Sequence, residues 1–186
     1  METAKKLQEK EFYTYEDYLS WGEDFRCEII DGVIYAMTPP LTIHQRILTR
    51  LLTKFYNFLE GKKCEVFPAP FGVRLHLPGE RDTIVEPDIV VVCDESKIDE
   101  KGCNGSPDLL VEIISPSDPS RDTFEKYQKY LKAKVKEYWI VDPKNKYINF
   151  CVLDGDTYVS KIYTQNETIE SSVIKGLKVN LSDVFK

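Results

Sequence analysis

The sequence predicts an α/β or α+β fold, a mixed β-sheet flanked by helices with hairpins in its N-terminal and C-terminal parts. Three observations carry this reading. Continuous apolar runs at Ile89-Val90-Val91-Val92, Asp108 to Ile114 and Glu137 to Val141 suit strands covered on both faces, central in a sheet. Ile43, Ile47, Leu48, Leu51, Leu52, Phe55, Phe58 and Leu59 recur at helical spacing and form one apolar stripe. Asp31-Gly32 and Asp154-Gly155-Asp156 separate strand-like runs, as hairpin turns do. Helices and strands intermix along the chain, which is the order expected of a mixed sheet.

In chain order, Thr14-Tyr15-Glu16-Asp17 reads as a capping box that starts a short helix, with Asp in the reciprocal position. Cys27 to Ile30 and Val33 to Met37 form a hairpin around Asp31-Gly32. Pro39-Pro40 ends that unit, and the striped helix follows over about Leu41 to Leu59. Short strands are expected at Cys64 to Phe67, Gly72 to Leu77 and within Ile84 to Cys93. A helix opens at Asp118-Pro119-Ser120 and runs to about Ala133. The strand Glu137 to Val141 stops at Asp142-Pro143. A second hairpin joins Lys146 to Leu153 with Tyr158 to Thr164. Leu177, Val179 and Leu181 alternate in a final edge segment. One domain over residues 1–186 is expected, with 1–12 as a flexible lead-in.

Composition narrows the classes. The 186 residues carry 25 Lys and Arg against 31 Asp and Glu, a net charge of −6, with 42% hydrophobic residues. These are globular values and speak against disorder or a fibrous rod. A mildly acidic total gives no support to a large basic DNA-binding surface, although a local one depends on charge distribution. No apolar run reaches the roughly 18–20 residues that span a bilayer. The segment from Met1 to Glu11 is polar, unlike a signal peptide, so a soluble cytoplasmic protein is expected. Five widely spaced cysteines without a CxxC pair argue against a disulfide framework and a zinc knuckle, and read as buried small hydrophobes or surface thiols.

Two acids stand in costly places. Asp88 heads Ile89-Val90-Val91-Val92, and Glu112 sits inside Leu109-Leu110-Val111-Glu112-Ile113-Ile114. A carboxylate in a buried strand needs a partner, a hydrogen bond or a metal. Two neighbouring strands with one acid each would bring both to one pocket, where a cation between them relieves their repulsion. Oxygen-only ligands of this kind suit Mg²⁺ or Mn²⁺. The plain structural alternative makes Asp88 a strand-end cap and pairs Glu112 with a lysine. Lys126, Lys129, Lys132, Lys134 and Lys136 form a strip without an intervening acid. Phe124, Tyr127 and Leu131 lie on one side of that helix, and Lys126 and Lys129 roughly opposite, flanked by Tyr130 and Ala133. A solvated face is one reading, and direction of Lys126 toward the two acids is the other.

Several stretches resemble the Uma2 family, within the PD-(D/E)XK nuclease-like superfamily. They are Cys27 to Gly32 followed by Met37-Thr38-Pro39-Pro40, His44-Gln45, Glu86-Pro87-Asp88-Ile89-Val90-Val91, Pro107 to Ser117, Arg121-Asp122 with Lys126 and Tyr130, and Val135 to Pro143. The resemblance spans about Tyr13 to Phe185. It implies a restriction-endonuclease-like core with the site at one sheet edge. It further implies a Mg²⁺ (or Mn²⁺) held by Asp88 and Glu112, with the backbone carbonyl of Ile113 completing the set. Glu28 matches an additional acid from the N-terminal part of the core. The pattern's lysine would stand at 114, where this chain has Ile114, and Lys126 matches the lysine the family carries on the following helix.

The function so implied is endonucleolytic hydrolysis of phosphodiester bonds in DNA. Asp88, Glu112, Lys126 and Glu28 form the catalytic set. His44, on the first turn of the long helix, is expected to contact the phosphate or organise Glu28, or else to cap or pack. Lys129 and Tyr130 are the further candidates for substrate contact, with packing the alternative for Tyr130. The expected partner is nucleic acid, with a homodimer as one arrangement and no membrane. The rivals are a nucleic-acid-binding module of the same fold that lost catalysis, favoured by Ile114 and the acidic total, and a structural or oligomeric partner protein. A two-carboxylate glycosidase finds little support, because Trp21 and Trp139 outline no sugar site.

Overall fold

The computed structural model describes residues 10–22, 25–115 and 124–186. In order, the elements are α1 (Tyr15–Ser20), β1 (Cys27–Ile30), β2 (Val33–Ala36), α2 (Thr42–Leu59), β3 (Glu65–Pro68), β4 (Val73–Leu75), β5 (Thr83–Val85), β6 (Ile89–Val92), β7 (Ile98–Asp99), β8 (Gly102–Asn104) and β9 (Leu109–Ile113). After them come α3 (Lys126–Lys132), β10 (Glu137–Asp142), β11 (Tyr147–Asp154), β12 (Thr157–Thr164), β13 (Thr168–Glu170), β14 (Lys178–Asn180) and α4 (Leu181–Val184).

Local chemistry sets the first elements. Thr14 and Asp17 form the reciprocal capping box of α1. Asp31 and Gly32 both take positive φ, 53° and 76°, the conformation that a two-residue hairpin turn requires between β1 and β2. Arg81 stacks over the Phe12 ring, and the Tyr13 amide donates to the Gly32 carbonyl.

The strands make two six-stranded sheets, β2-β1-β5-β4-β8-β7 and β12-β11-β10-β9-β6-β3, and a ribbon β13-β14. The stretch from Ile84 to Cys93 therefore divides. β5 belongs to the first sheet and β6 to the second, with Glu86-Pro87-Asp88 crossing between them. The second sheet is mixed, because β9 runs parallel to β10 and antiparallel to β6. Alternation along its central strands explains their continuous apolar runs. Ile89, Val91, Leu109, Val111, Trp139 and Val141 face a core shared with α2, α4 and the ribbon. Val90, Leu110, Tyr138 and Ile140 face a second core shared with the first sheet and α3. The layers are thus sheet, sheet, helix.

The C-terminal part differs from expectation in one respect. Val179 lies in β14, whereas Leu181 begins α4, so the alternating segment ends in a short helix capped by Asn180. The start of the expected helix at Asp118-Pro119-Ser120, together with Arg121-Asp122, lies outside the described residues. The cysteine reading is corrected. Cys64 and Cys93 form a disulfide, because the β3–β6 register that pairs Glu65 with Val92 brings the two cysteines opposite each other. Cys27, Cys103 and Cys151 are buried free thiols, as the small-hydrophobe reading has it. Burial pushes the Cys27 and Cys151 thiols up to about 12 and that of Cys103 to about 11, so none is a ready nucleophile. Among the described residues no helix is long and apolar enough to cross a membrane.

Candidate active site

The β6–β9 register pairs Ile89 with Val111, and one step further places Asp88 opposite Glu112. Both acids thus stand at the same end of two central strands rather than on an edge strand of the sheet. The Asp88 carboxylate accepts the Ile113 amide at 2.7 Å through Oδ2. Its Oδ1 lies 3.2 Å from His44 Nε2, brought by the first turn of α2. Glu112 points to the opposite side from Val111 and Ile113, toward the first sheet and α3. Its Oε1 accepts from the Tyr130 hydroxyl at 2.7 Å and from Lys126 Nζ at 2.9 Å.

The first sheet supplies the third acid. Glu28, on β1, lies 2.7 Å from Lys126 Nζ and accepts the Glu86 amide at 2.9 Å. Lys126 is 3% exposed, so one ammonium is enclosed between acids from two sheets. A buried charge of this kind is tolerated because the ammonium meets two carboxylates, and each of these accepts a further hydrogen bond. The same cleft, about 340 Å³, is lined by Arg26, Glu28, His44, Glu86, Asp88, Glu112, Ile113, Ser115 and Lys126, among others.

Glu86 and Arg26 join the cleft beyond the residues that the sequence points to. Arg26 binds Glu86 Oε2 at 2.6 Å, and the Tyr18 hydroxyl donates to Oε1 at 3.1 Å. A signal for Glu86 existed, since residues i and i+2 of an extended segment point to one side and Asp88 follows by two. Burial, with the Glu86 charge beside it, raises the Tyr18 phenol well above its ordinary value and keeps it a donor. The Tyr130 phenol is raised well above 10 by burial first and by the Glu112 charge next, so it stays protonated and donates.

The structure does not bring every candidate to the cleft. Lys129 is absent from its lining, and the ammonium is held by Asp31 and Glu80. Tyr130 is fully buried behind Glu112, packs edge-on to Tyr138, and is placed to position Glu112 rather than to touch substrate. The lysine strip is not a free basic surface either. Lys132 pairs with Glu80, Lys134 with Asp156 and Lys136 with Asp108. His44 sits against Asp88 rather than Glu28, and its buried Nδ1 has no hydrogen-bond partner among the described residues.

Among the described residues no three His, Cys, Asp or Glu side chains are grouped to enclose a metal ion. The donor set nevertheless fits a hard divalent cation. Mg²⁺ is commonly held by one or two carboxylates, with water and substrate phosphate filling the remaining positions. Asp88, Glu112 and Ile113 all line the one cleft at the same end of β6 and β9.

The chain matches the Uma2 family, described as "Putative restriction endonuclease", over residues 13–182. It is 33% identical over 176 residues to Uncharacterized protein slr1290 of Synechocystis sp., covering 92% of this chain and 90% of that protein. Its fold is similar to the crystal structure of "a putative nuclease belonging to DUF820" from Anabaena variabilis, with a TM-score of 0.73 and 20% identity. That likeness covers 92% of this chain and 97% of the other.

Proposed function

The chain belongs to the Uma2 family, and from that membership and the acidic cleft we propose that it is a divalent-metal-dependent endonuclease that hydrolyses phosphodiester bonds in DNA. The observation that carries the reading is Lys126. A (D/E)XK element would place a lysine at 114, and α3 instead returns an ammonium to within 2.9 Å of Glu112. Asp88, Glu112 and the Ile113 carbonyl would hold Mg²⁺ or Mn²⁺. Such an ion, when bound, polarises a phosphate oxygen and lowers the pKa of a coordinated water.

The protein's own groups divide the remaining work. Lys126 offsets negative charge that builds on the phosphorus oxygens as water adds and the bond to the sugar oxygen breaks. Glu28 shares that ammonium and fixes its direction. Tyr130 holds Glu112 Oε1, and His44 holds Asp88 Oδ1, so both carboxylates are oriented before substrate arrives. A second reading, a nucleic-acid-binding module of the same fold without cleavage, is favoured by the enclosure of Lys126, which also suits a purely structural ion cluster.

Titration of Mn²⁺ and Mg²⁺ into wild type and Asp88→Ala, followed by thermal unfolding, tests the proposal. A ligand that binds only the folded state adds about 2.7 kcal/mol at roughly 100-fold excess over its Kd. Wild type is expected to gain stability and Asp88→Ala not to. No response from either protein overturns the metal site. A response in wild type without cleavage of plasmid, single-stranded or branched DNA supports the binding module instead.

A further inference from the structure

Beside the acidic cleft lies a second cavity, about 430 Å³, lined by Leu41, Ile43, His44, Ile114, Ser115, Asp142, Pro143 and Lys144. The two cavities share His44 and Ser115, so the His44 ring stands in the wall between them. We propose that this cavity is a nucleobase subsite, which takes one unpaired base next to the phosphate held in the cleft. The proposal rests on the nuclease reading for the phosphate and adds the substrate class: DNA with an unpaired nucleotide at the cleavage point, in preference to continuous duplex.

Three observations point to a base. The size lies within the range of small-molecule sites, roughly 300–1,000 Å³. Leu41, Ile43, Ile114 and Pro143 give the lining an apolar character that suits the faces of a base and not a phosphate. Ile43 belongs to the apolar stripe of α2, yet it is 41% exposed, and Leu41 before it is 55% exposed. Both open into this cavity instead of the core, an arrangement the core does not require. At the rim the Asp142 carboxylate accepts the amides of Lys144 and Asn145 and the Asn145 side chain, which fixes the turn after β10.

The lysines of α3 and the turn after it do not form an unpaired basic stripe of the kind a broad duplex surface uses. Binding of continuous duplex draws its affinity from several lysine or arginine contacts to phosphates. Here Lys126, Lys129, Lys132, Lys134 and Lys136 are all engaged by acids of the same chain. Enclosure of a base between apolar side chains supplies affinity without that basic surface.

The test is fluorescence anisotropy with a labelled duplex of about 20 base pairs, perfect or carrying one unpaired thymine, in EDTA so that binding is read without cleavage. Wild type is expected to bind the unpaired-base duplex about tenfold tighter than the perfect one. The double variant Leu41→Ala/Ile43→Ala, at exposed positions that leave folding intact, is expected to bind both duplexes alike. Equal binding of the two duplexes by wild type overturns the subsite, as does a preference that the double variant keeps. The metal-induced rise in unfolding temperature separates the two proposals. If that rise is present and the base preference is absent, the subsite falls alone. If the preference is present and depends on Leu41 and Ile43 while metal has no effect, the subsite stands in a protein that does not cleave.

Discussion

Replacing Lys126 by methionine removes a buried cation and keeps most of the bulk of its stem. The ammonium lies 2.7 Å from Glu28 Oε1 and 2.9 Å from Glu112 Oε1, and all three side chains are 6% exposed or less. Without it, two carboxylates from two sheets remain in one water-poor wall. Removing one partner of a buried ion pair costs about 3–5 kcal/mol. For a chain of this size, each kcal/mol moves the unfolding midpoint by about 2–4 °C, so Lys126→Met is expected to melt about 6–20 °C below wild type. Circular dichroism at neutral pH, by heat and by urea, reads the loss. The triple variant Glu28→Gln/Glu112→Gln/Lys126→Met removes the charges together and is expected to recover most of it. Added salt is expected to change the difference little, because buried charges are weakly screened. If Lys126→Met unfolds within about 1 kcal/mol of wild type, a value typical of an exposed pair, the enclosed cluster does not exist in solution and the catalytic reading loses its main support.

Two further predictions concern the frame around the site. Hydrogen bonds from Lys129 and Lys132 hold the Glu80 carboxyl below its ordinary 4.5, so folded protein binds that proton less readily than unfolded protein. The cluster therefore adds stability above pH 4.5 that is lost as pH falls through the lowered value, and Glu80→Gln is expected to flatten that acid limb; an unchanged limb in a series of melts refutes the linkage. Lys129 behaves in the opposite sense. Burial alone would lower its pKa, but the bonds to Asp31 and Glu80 outweigh it and raise the group above 10.5, so its contribution holds below that pH and fades above. The disulfide gives the second prediction. Cys64 and Cys93 are separated by 29 positions, and closing a loop of roughly 30 residues is worth about 3–4 kcal/mol. Reductant is expected to lower the midpoint of the oxidised protein by about 6–16 °C. Thiol titration of the unfolded oxidised chain should find Cys27, Cys103 and Cys151 and no others, and reactive Cys64 or Cys93 would refute the pairing.

What could be read in the sequence was what adjacent residues decide. The Thr14–Asp17 box, the Asp31-Gly32 turn and the α2 stripe each depend on a few neighbours, and each forms where expected, except that Ile43 at the head of the stripe is exposed. What could not be read depended on partners far along the chain. Nothing near Cys64 reveals Cys93, because only the β3–β6 register places them together. Helix α3 shows the limit most clearly. Its periodicity separates an aromatic face from a lysine face, and by itself it leaves open whether the lysine face is solvated or directs Lys126 toward the acids. In the fold Lys126, Lys129 and Tyr130 are buried and Phe124 is 69% exposed. Lys126 and Lys129 turn inward because α3 meets Glu28, Asp31, Glu80 and Glu112 beside the apolar second core, against which Tyr127 and Leu131 still pack. A hydrophobic-face argument assumes an apolar partner, and it misses the face that meets a row of acids.

The relocated lysine also bears on the neighbouring cavity. A lysine at 114 would follow Glu112 by two positions, on the same side of the strand, and would place a charge at the end of β9. With the ammonium delivered from α3, that position is free to be apolar. Ile114 uses it twice: it packs against the second core and lines the apolar cavity beside His44. On the nuclease reading, one displacement therefore has two consequences. The charge needed at Glu112 is retained, and the strand end beside the phosphate site becomes a surface fit for a base. Ile114→Lys would then be expected to weaken the preference for an unpaired base without supplying a better catalytic lysine, since Lys126 already occupies the place against Glu112. A variant that cleaved faster than wild type and kept its base preference would break the link between the two.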